Sequence, residues 1–254
     1  MTDWNATQYV KFEAERTQPC TDLINRLSDI SPSRILDLGC GPGNSTAALA
    51  KHFSHASVLG IDASENMLEK AKGTHPELEF QKCFVPTGLE CLGKFDLIFS
   101  NACIHWIPGQ KNLLKCIFNS LSDGGTLAVQ IPYIQKAPFY RMLDNLIAES
   151  GRKELAEIKN FHNLLPEEYY DLLAEISSDF SIWETIYYHT VSSHEEITEW
   201  YKGSGLRPYL DALNEAERSR FLAELHVSAK KIYPIQPNGS IILKMPRLFF
   251  TAKK

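Results

Sequence analysis

The chain has 254 residues, enough for one large α/β domain with an inserted cap. Lys and Arg total 26 against 31 Asp and Glu, a formal net charge of −5 with no Lys/Arg block, which argues against nucleic acid as a partner. No stretch reaches the roughly 18 uninterrupted apolar residues of a membrane span, and the N-terminal segment lacks the basic-then-apolar layout of a signal peptide.

The first helical pattern covers 6–30, with Tyr9, Phe12, Leu23, Ile24 and Leu27 at helix spacing. A short apolar strand follows at 34–38, then a helix at about 43–53, a strand at 57–61 and a helix at about 64–73. Ser64 is placed to cap that last helix, and Glu65 supplies acid to its first turn. A third strand lies near 78–82, a fourth at 95–100, and a helix at about 111–121. Asp123-Gly124-Gly125 turns the chain into a fifth strand, 126–131, which Pro132 stops. Strands alternating with helices imply a parallel sheet covered on both faces.

The second half changes character. Residues 137–150 and 166–176 read as helical, 180–190 as a strand, 194–231 as a helical stretch, and 241–251 as a final strand. The extra helices are not needed to build the sheet and are long enough to cover its carboxyl edge, where ligands bind in such folds. The expected organisation is therefore one domain, 1–254. Its core sheet takes about 30–132, 178–192 and 238–254, its helical cap about 133–176 and 194–236, and a lid helix about 1–28. Trp4, Tyr9 and Phe12 belong to that lid.

The most informative segment joins the first strand to its helix. Gly39-Cys40-Gly41-Pro42-Gly43-Asn44 packs three glycines into five residues, which suits a turn with positive φ and close approach of a ligand. The second strand ends on Asp62, roughly twenty positions later, where an acid can accept from a ribose diol. Strand, glycine turn, helix and acid describe a nucleoside site, its turn expected to point free N–H groups at the ligand. A dinucleotide fingerprint needs a third glycine where this chain has Asn44. Asp37, two residues before Gly39, adds negative charge that suits a cationic sulfonium and amine better than a pyrophosphate.

This D-x-G-x-G-x-G pattern resembles the first motif of class I S-adenosylmethionine-dependent methyltransferases. Further segments resemble the bacterial trans-aconitate 2-methyltransferase family nearly end to end. They include Asp3-Trp4-Asn5, Glu15-Arg16, Asp96-Leu97-Ile98-Phe99, Asn101-Ala102 and 127–132. The most distinguishing are Tyr187-Tyr188-His189, Gly205-Leu206-Arg207-Pro208 and Pro246-Arg247-Leu248-Phe249. The resemblance implies a Rossmann-like α/β fold with a mostly parallel seven-stranded sheet, and S-adenosyl-L-methionine as cofactor. Asp37, Gly39, Gly41, Asp62, Met67, Phe84 and Asn101 are the candidate cofactor residues. Phe84 departs from the pattern, because it stands where many of these enzymes carry an acid that accepts from the adenine amine.

For the acceptor, Arg207 and Arg247 stand among apolar and aromatic neighbours, and each offers a planar fork matched to carboxylate. With Gln130, Tyr187 and Tyr188 they are the candidate substrate residues. The expected reaction is O-methylation of a small polycarboxylic acid to a monomethyl ester. A carboxylate is already ionised at neutral pH, so no general base is required and the catalysis expected is positioning. His105 is a candidate base only if the acceptor is a quinone or phenol. Other acids, such as a malonyl thioester or a fatty-type acid, and a non-catalytic cofactor-binding role are the remaining alternatives. The cysteines, Cys20, Cys40, Cys83, Cys91, Cys103 and Cys116, form no C-x-x-C pair and read as reduced thiols of a cytoplasmic protein, with no metal site. The chain is expected to be a monomer whose partner is a small acid, with no nucleic acid and no membrane.

Overall fold

The structure is a computed structural model describing residues 13–158 and 160–254. Trp4, Tyr9, Phe12 and the first turns of the expected lid helix lie outside the described residues. The chain divides into two compact units. The first comprises the residues up to Pro132, His162–Thr185 and Arg247–Lys254, and the second Tyr133–Phe161 and Ile186–Pro246.

The first unit is built on the sheet. Its elements begin with α1 (Glu13–Asn25), β1 (Arg34–Leu38), α2 (Asn44–His52), β2 (Ser57–Asp62), α3 (Glu65–Thr74) and β3 (Glu79–Lys82). They continue with β4 (Phe95–Asn101), α4 (Gln110–Asn119), β5 (Leu121–Pro132) and α7 (Pro166–Ile176), α5 and α6 belonging to the second unit. Strands β6 (Asp179–Val191) and β7 (Ile241–Lys253) begin or end in it. The sheet has seven strands in the order β3-β2-β1-β4-β5-β7-β6. The pairs β1–β2, β1–β4, β2–β3 and β4–β5 are parallel, and β7 runs antiparallel to β5. The chain winds outward from β1 one way to β3 and from β4 the other way to β5. Right-handed crossovers then set their helices on opposite faces. Burial on both faces explains why β1 and β4 read as near-continuous apolar runs.

Several local predictions hold to the residue. The Ser64 hydroxyl accepts from the Met67 N–H at 3.3 Å, capping α3. The turn at Gly124, with φ of +77°, is absorbed into a longer β5 with a register shift between Phe95 and Leu97.

One assignment needs correction. Residues 166–176 were expected in the cap, yet α7 belongs to the sheet unit. Its Tyr169, Leu172 and Leu173 are buried, the Tyr169 ring lies 5.3 Å from Phe250 of β7, and its hydroxyl donates to Gln110 of α4 at 2.9 Å. A helix between β5 and β6 with an apolar face on the sheet is a layer of the fold.

The second unit holds α5 (Pro138–Ser150), α6 (Lys153–Ala156), α8 (His194–Lys202), α9 (Arg207–Asp211) and α10 (Glu215–Ile232). The helical stretch expected over 194–231 consists of three helices. Gly203 ends α8, Pro208 opens α9, and Asn214 starts α10 in a capping box, accepting from the Glu217 N–H at 3.0 Å. Helix α10 packs on α5 and α8. Phe139 of α5 stacks on Tyr201 of α8 with centroids 3.5 Å apart, and Arg152 clamps Glu224 of α10 with two bonds of 2.6 and 3.0 Å.

Candidate active site

The order of the sheet reverses between β1 and β4, and the crevice at the carboxyl ends of those strands is where open α/β sheets bind ligands. The glycine loop leaves β1 there and Asn101 ends β4 beside it. The loop takes positive φ at all three glycines, +79° at Gly39, +52° at Gly41 and +96° at Gly43. Two of them do different work. A Cβ on Gly39 would overlap Cys103, so the missing side chain there lets the segment after β4 pack underneath. A Cβ on Gly41 would meet nothing within 4 Å among the described residues, so on their side this glycine faces open space.

The loop's N–H groups are also not free, contrary to expectation. Those of Gly39 and Cys40 donate to Ile61 O at 2.8 and 2.9 Å, and that of Gly43 to Cys40 O at 3.0 Å. The Gly41 N–H donates to Asp62 Oδ2 at 2.9 Å. Pro42 has none. A loop whose donors are spent on its own framework is a poor phosphate cradle, since phosphate binding at such turns relies on unpaired N–H groups.

What the crevice offers is acceptors. Asp37 is fully buried; its Oδ2 accepts from Ser45 Oγ at 2.6 Å and Thr46 Oγ1 at 2.7 Å. Among the described residues its Oδ1 has no hydrogen-bond partner, nor has the buried Oδ1 of Asn101. Burial pushes the Asp37 carboxyl up to about 6, the two hydroxyl bonds oppose that, and the nearby Asp62 adds to it. Asp62, at the end of β2, accepts from Gly41 through Oδ2 and from the Ser64 N–H through Oδ1 at 2.9 Å, which fixes its carboxylate while leaving lone pairs for a ribose. Two carboxylates and two unsatisfied acceptors fit a ligand that is cationic and rich in donors. S-adenosylmethionine, with a sulfonium, an ammonium and a ribose diol, is such a ligand. Met67 is buried at the start of α3, and Phe84, just past β3, is 59 % exposed.

Along the same edge the sheet gathers a second group. Asn101 and Gln130 are register partners on β4 and β5, and the Ala102 N–H donates to Gln130 O at 2.9 Å. The Nε2 of Gln130 is buried without a partner among the described residues. Arg247 pairs in register with Pro132, two residues on, so its side chain leaves the same face as that of Gln130. His105 sits in a short 3-10 turn (Ile104–Trp106) and is 2 % exposed. Burial first, and then the Arg247 guanidinium, hold its imidazole well below the ordinary histidine range. His105 is therefore neutral at physiological pH.

Sequence reasoning missed the residues that set this turn. Gln110 donates through Nε2 to Ile104 O at 2.8 Å and Ile107 O at 2.7 Å, and Tyr169 holds its other end. His162 and Asn163, from a stretch with no readable pattern, bind His105 O at 2.9 Å and Pro132 O at 2.8 Å. Only a buried, clamped glutamine in an otherwise amphipathic helix could have hinted at Gln110.

The remaining candidates lie in the second unit. Tyr187 is buried and runs parallel to His189, centroids 6.2 Å apart, whereas Tyr188 is 63 % exposed. Adjacent strand residues point to opposite faces, so the two tyrosines do not act from one side. Arg207 lies 3.5 Å from Asp211 in an i,i+4 pair on α9. Cys40 and Cys103, both beside the glycine loop, have thiols pushed up by burial and by Asp37 and Asp62, which leaves them unreactive at neutral pH.

Comparison with known proteins bears on this site. Residues 35–125 match the family model described as a methyltransferase domain. The chain is 38 % identical to a trans-aconitate 2-methyltransferase of Rhodopseudomonas palustris (strain HaA2), with all of both chains covered. It is 40 % identical to one of Enterobacter sp. (strain 638), covering all of this chain and 99 % of that one. Among solved structures, the YcgJ protein of Bacillus subtilis superposes with a TM-score of 0.61 at 15 % identity, over 93 % of this chain and 98 % of that one. The Haemonchus contortus phosphoethanolamine N-methyltransferase 2, in complex with phosphomonomethylethanolamine and S-adenosylhomocysteine, gives 0.55 at 18 % identity over 93 % of this chain and 52 % of that one. At that identity these two share the fold.

Proposed function

The chain belongs to the trans-aconitate 2-methyltransferase family and uses S-adenosylmethionine, and from this we infer that it forms a monomethyl ester on one carboxylate of a small polycarboxylic acid, trans-aconitate foremost. The observation that carries the reading is Arg247, a cation whose Nε is shut off from solvent and whose charge adds to burial in holding the neighbouring His105 low. A guanidinium in that setting favours an anion.

When bound, the cofactor supplies a methyl group on a sulfonium whose departure leaves a neutral thioether. The chain's own residues do the rest. Asp62 holds the ribose, and Asp37 and Asn101 supply acceptors for the ligand's donors. Gln130 and Arg247 hold the carboxylates that do not react. A guanidinium fully paired to the attacking oxygen would blunt it, so the reacting carboxylate is left the less tightly bound. Neutral His105 donates or accepts one hydrogen bond and takes no proton. Arg207 and Tyr187 are proposed as further acid-holding side chains on their chemistry alone. Arg207→Ala should raise KM for the acid and leave cofactor affinity nearly intact; equal loss of both would remove Arg207 from this role.

The deciding experiment is turnover followed by mass spectrometry, with S-adenosylmethionine and a panel of trans-aconitate, cis-aconitate, citrate, isocitrate, malonate and a medium-chain fatty acid. One methyl gained on trans-aconitate, well above the others, supports the reading. Preferential methylation of another acid moves the acceptor assignment, and no methylation of any acid overturns it.

A further inference from the structure

The segment after β3 stands next to the ribose acid. The Cys83 N–H donates to the Asp62 carbonyl at 3.0 Å, and Lys82 is the register partner of Asp62. Phe84, the next residue, therefore follows directly on the backbone that borders Asp62. That residue offers an unusual set of groups. The residue is 59 % exposed, although large apolar side chains are normally covered. Its carbonyl already accepts twice, from the Gly88 N–H at 2.8 Å and Thr87 Oγ1 at 3.2 Å. Its own N–H donates to nothing among the described residues. The turn is closely packed, since a Cβ on Gly88 would lie 2.5 Å from Cys83 Sγ. No Asp or Glu occurs between Glu79 and Glu90, and Glu65 is engaged by Lys82 at 2.9 Å.

We propose that Phe84 recognises the cofactor's base by stacking under its ring and donating its N–H to a ring nitrogen, and that the exocyclic amine of the base is not read. The proposal rests on the cofactor assignment and makes this chain selective for a purine face rather than for adenine. Stacking tolerates any flat π-surface, whereas a site built to pair the amine would reject a base lacking it by a large factor.

The test is calorimetric binding of S-adenosylhomocysteine and of its 6-desamino analogue, in which purine replaces adenine. The wild-type chain should bind the two within about threefold, whereas a loss above about tenfold for the analogue overturns the proposal. Phe84→Ala should weaken both by roughly tenfold and equally, in the range of base–aromatic stacking; unchanged affinity for both would also overturn it. Phe84→Asp should introduce a preference for the amino compound that the wild type lacks. Amine-dependent binding with normal methyl transfer would sink this proposal alone. Absence of any S-adenosylhomocysteine binding would sink the cofactor assignment with it.

Discussion

Replacing Asp37 by Asn separates what this residue does for the fold from what it does for the ligand. The Asp37 carboxyl is completely buried and its pKa is raised from 3.8 to about 6, chiefly by burial. At about 1.36 kcal/mol per pH unit, the ionised form is disfavoured in the folded protein by about 3 kcal/mol. A raised carboxyl pKa places the sign clearly. The full penalty is present above about pH 6 and is shed as the pH falls towards 3.8, where the unfolded chain also binds its proton. Asn does not titrate, and its unpaired amide donors oppose the gain by a constant amount. The stability difference between Asp37→Asn and wild type should therefore move by about 2–2.5 kcal/mol between pH 8 and pH 4, in favour of the variant at the alkaline end. Urea unfolding of the ligand-free proteins at half-unit pH steps measures it. The same variant should bind S-adenosylmethionine at least tenfold more weakly at pH 8, and should lack the fall in affinity expected of the wild type below about pH 6. A stability gap that does not change with pH, or a variant with undiminished cofactor affinity, would refute this account of Asp37.

The two glycines should part company. Gly39→Ala should yield little folded protein, because its Cβ overlaps Cys103, whereas Gly41→Ala should fold with a loss of about 1–2 kcal/mol from its positive φ and lose most cofactor affinity, as calorimetry would register. Arg247→Ala should raise KM for the acid by about 30-fold or more with cofactor affinity unchanged, and Arg247→Lys should recover part of it; steady-state kinetics with either substrate varied decides this. His105→Gln should keep at least a tenth of wild-type kcat, and kcat should be flat from pH 6.5 to 9, since the acid is ionised and His105 is already neutral. An ascending limb in that window would point to a base and to the quinone or phenol reading.

Much of the sheet could be read from the chain because its signals are local. The apolar run of β1, the glycines that follow it and the acid closing β2 each announce themselves within a few residues. What escaped is non-local. Residues 166–176 carry an amphipathic helical pattern that suits a cap or a sheet layer equally, and only the partners of Tyr169 choose between them. The loop amides look free in sequence, yet Ile61 and Asp62, a strand away, consume them. Nothing local in the sequence says that Gly39 must also lack a side chain to make room for Cys103, which follows β4. Tyr187 and Tyr188 look like a pair, and the pleat of β6 sets them apart. Arg247 gained weight for the same reason, since its closeness to His105 joins residues that are 142 positions apart.

The place of β7 constrains how this chain can assemble. It follows β6 in the chain, yet lies between β5 and β6 in the sheet. During synthesis β5 must wait with an open edge until residues beyond 240 have left the ribosome, and β6 has no sheet neighbour until then. Contacts of such long sequence separation form late and slowly. A nascent chain paused before β7 presents an unpaired strand to other chains, the usual template for edge-to-edge aggregation. Chaperone dependence of this protein should thus be governed by its last strand, and β7 supplied in trans should compete for the same edge.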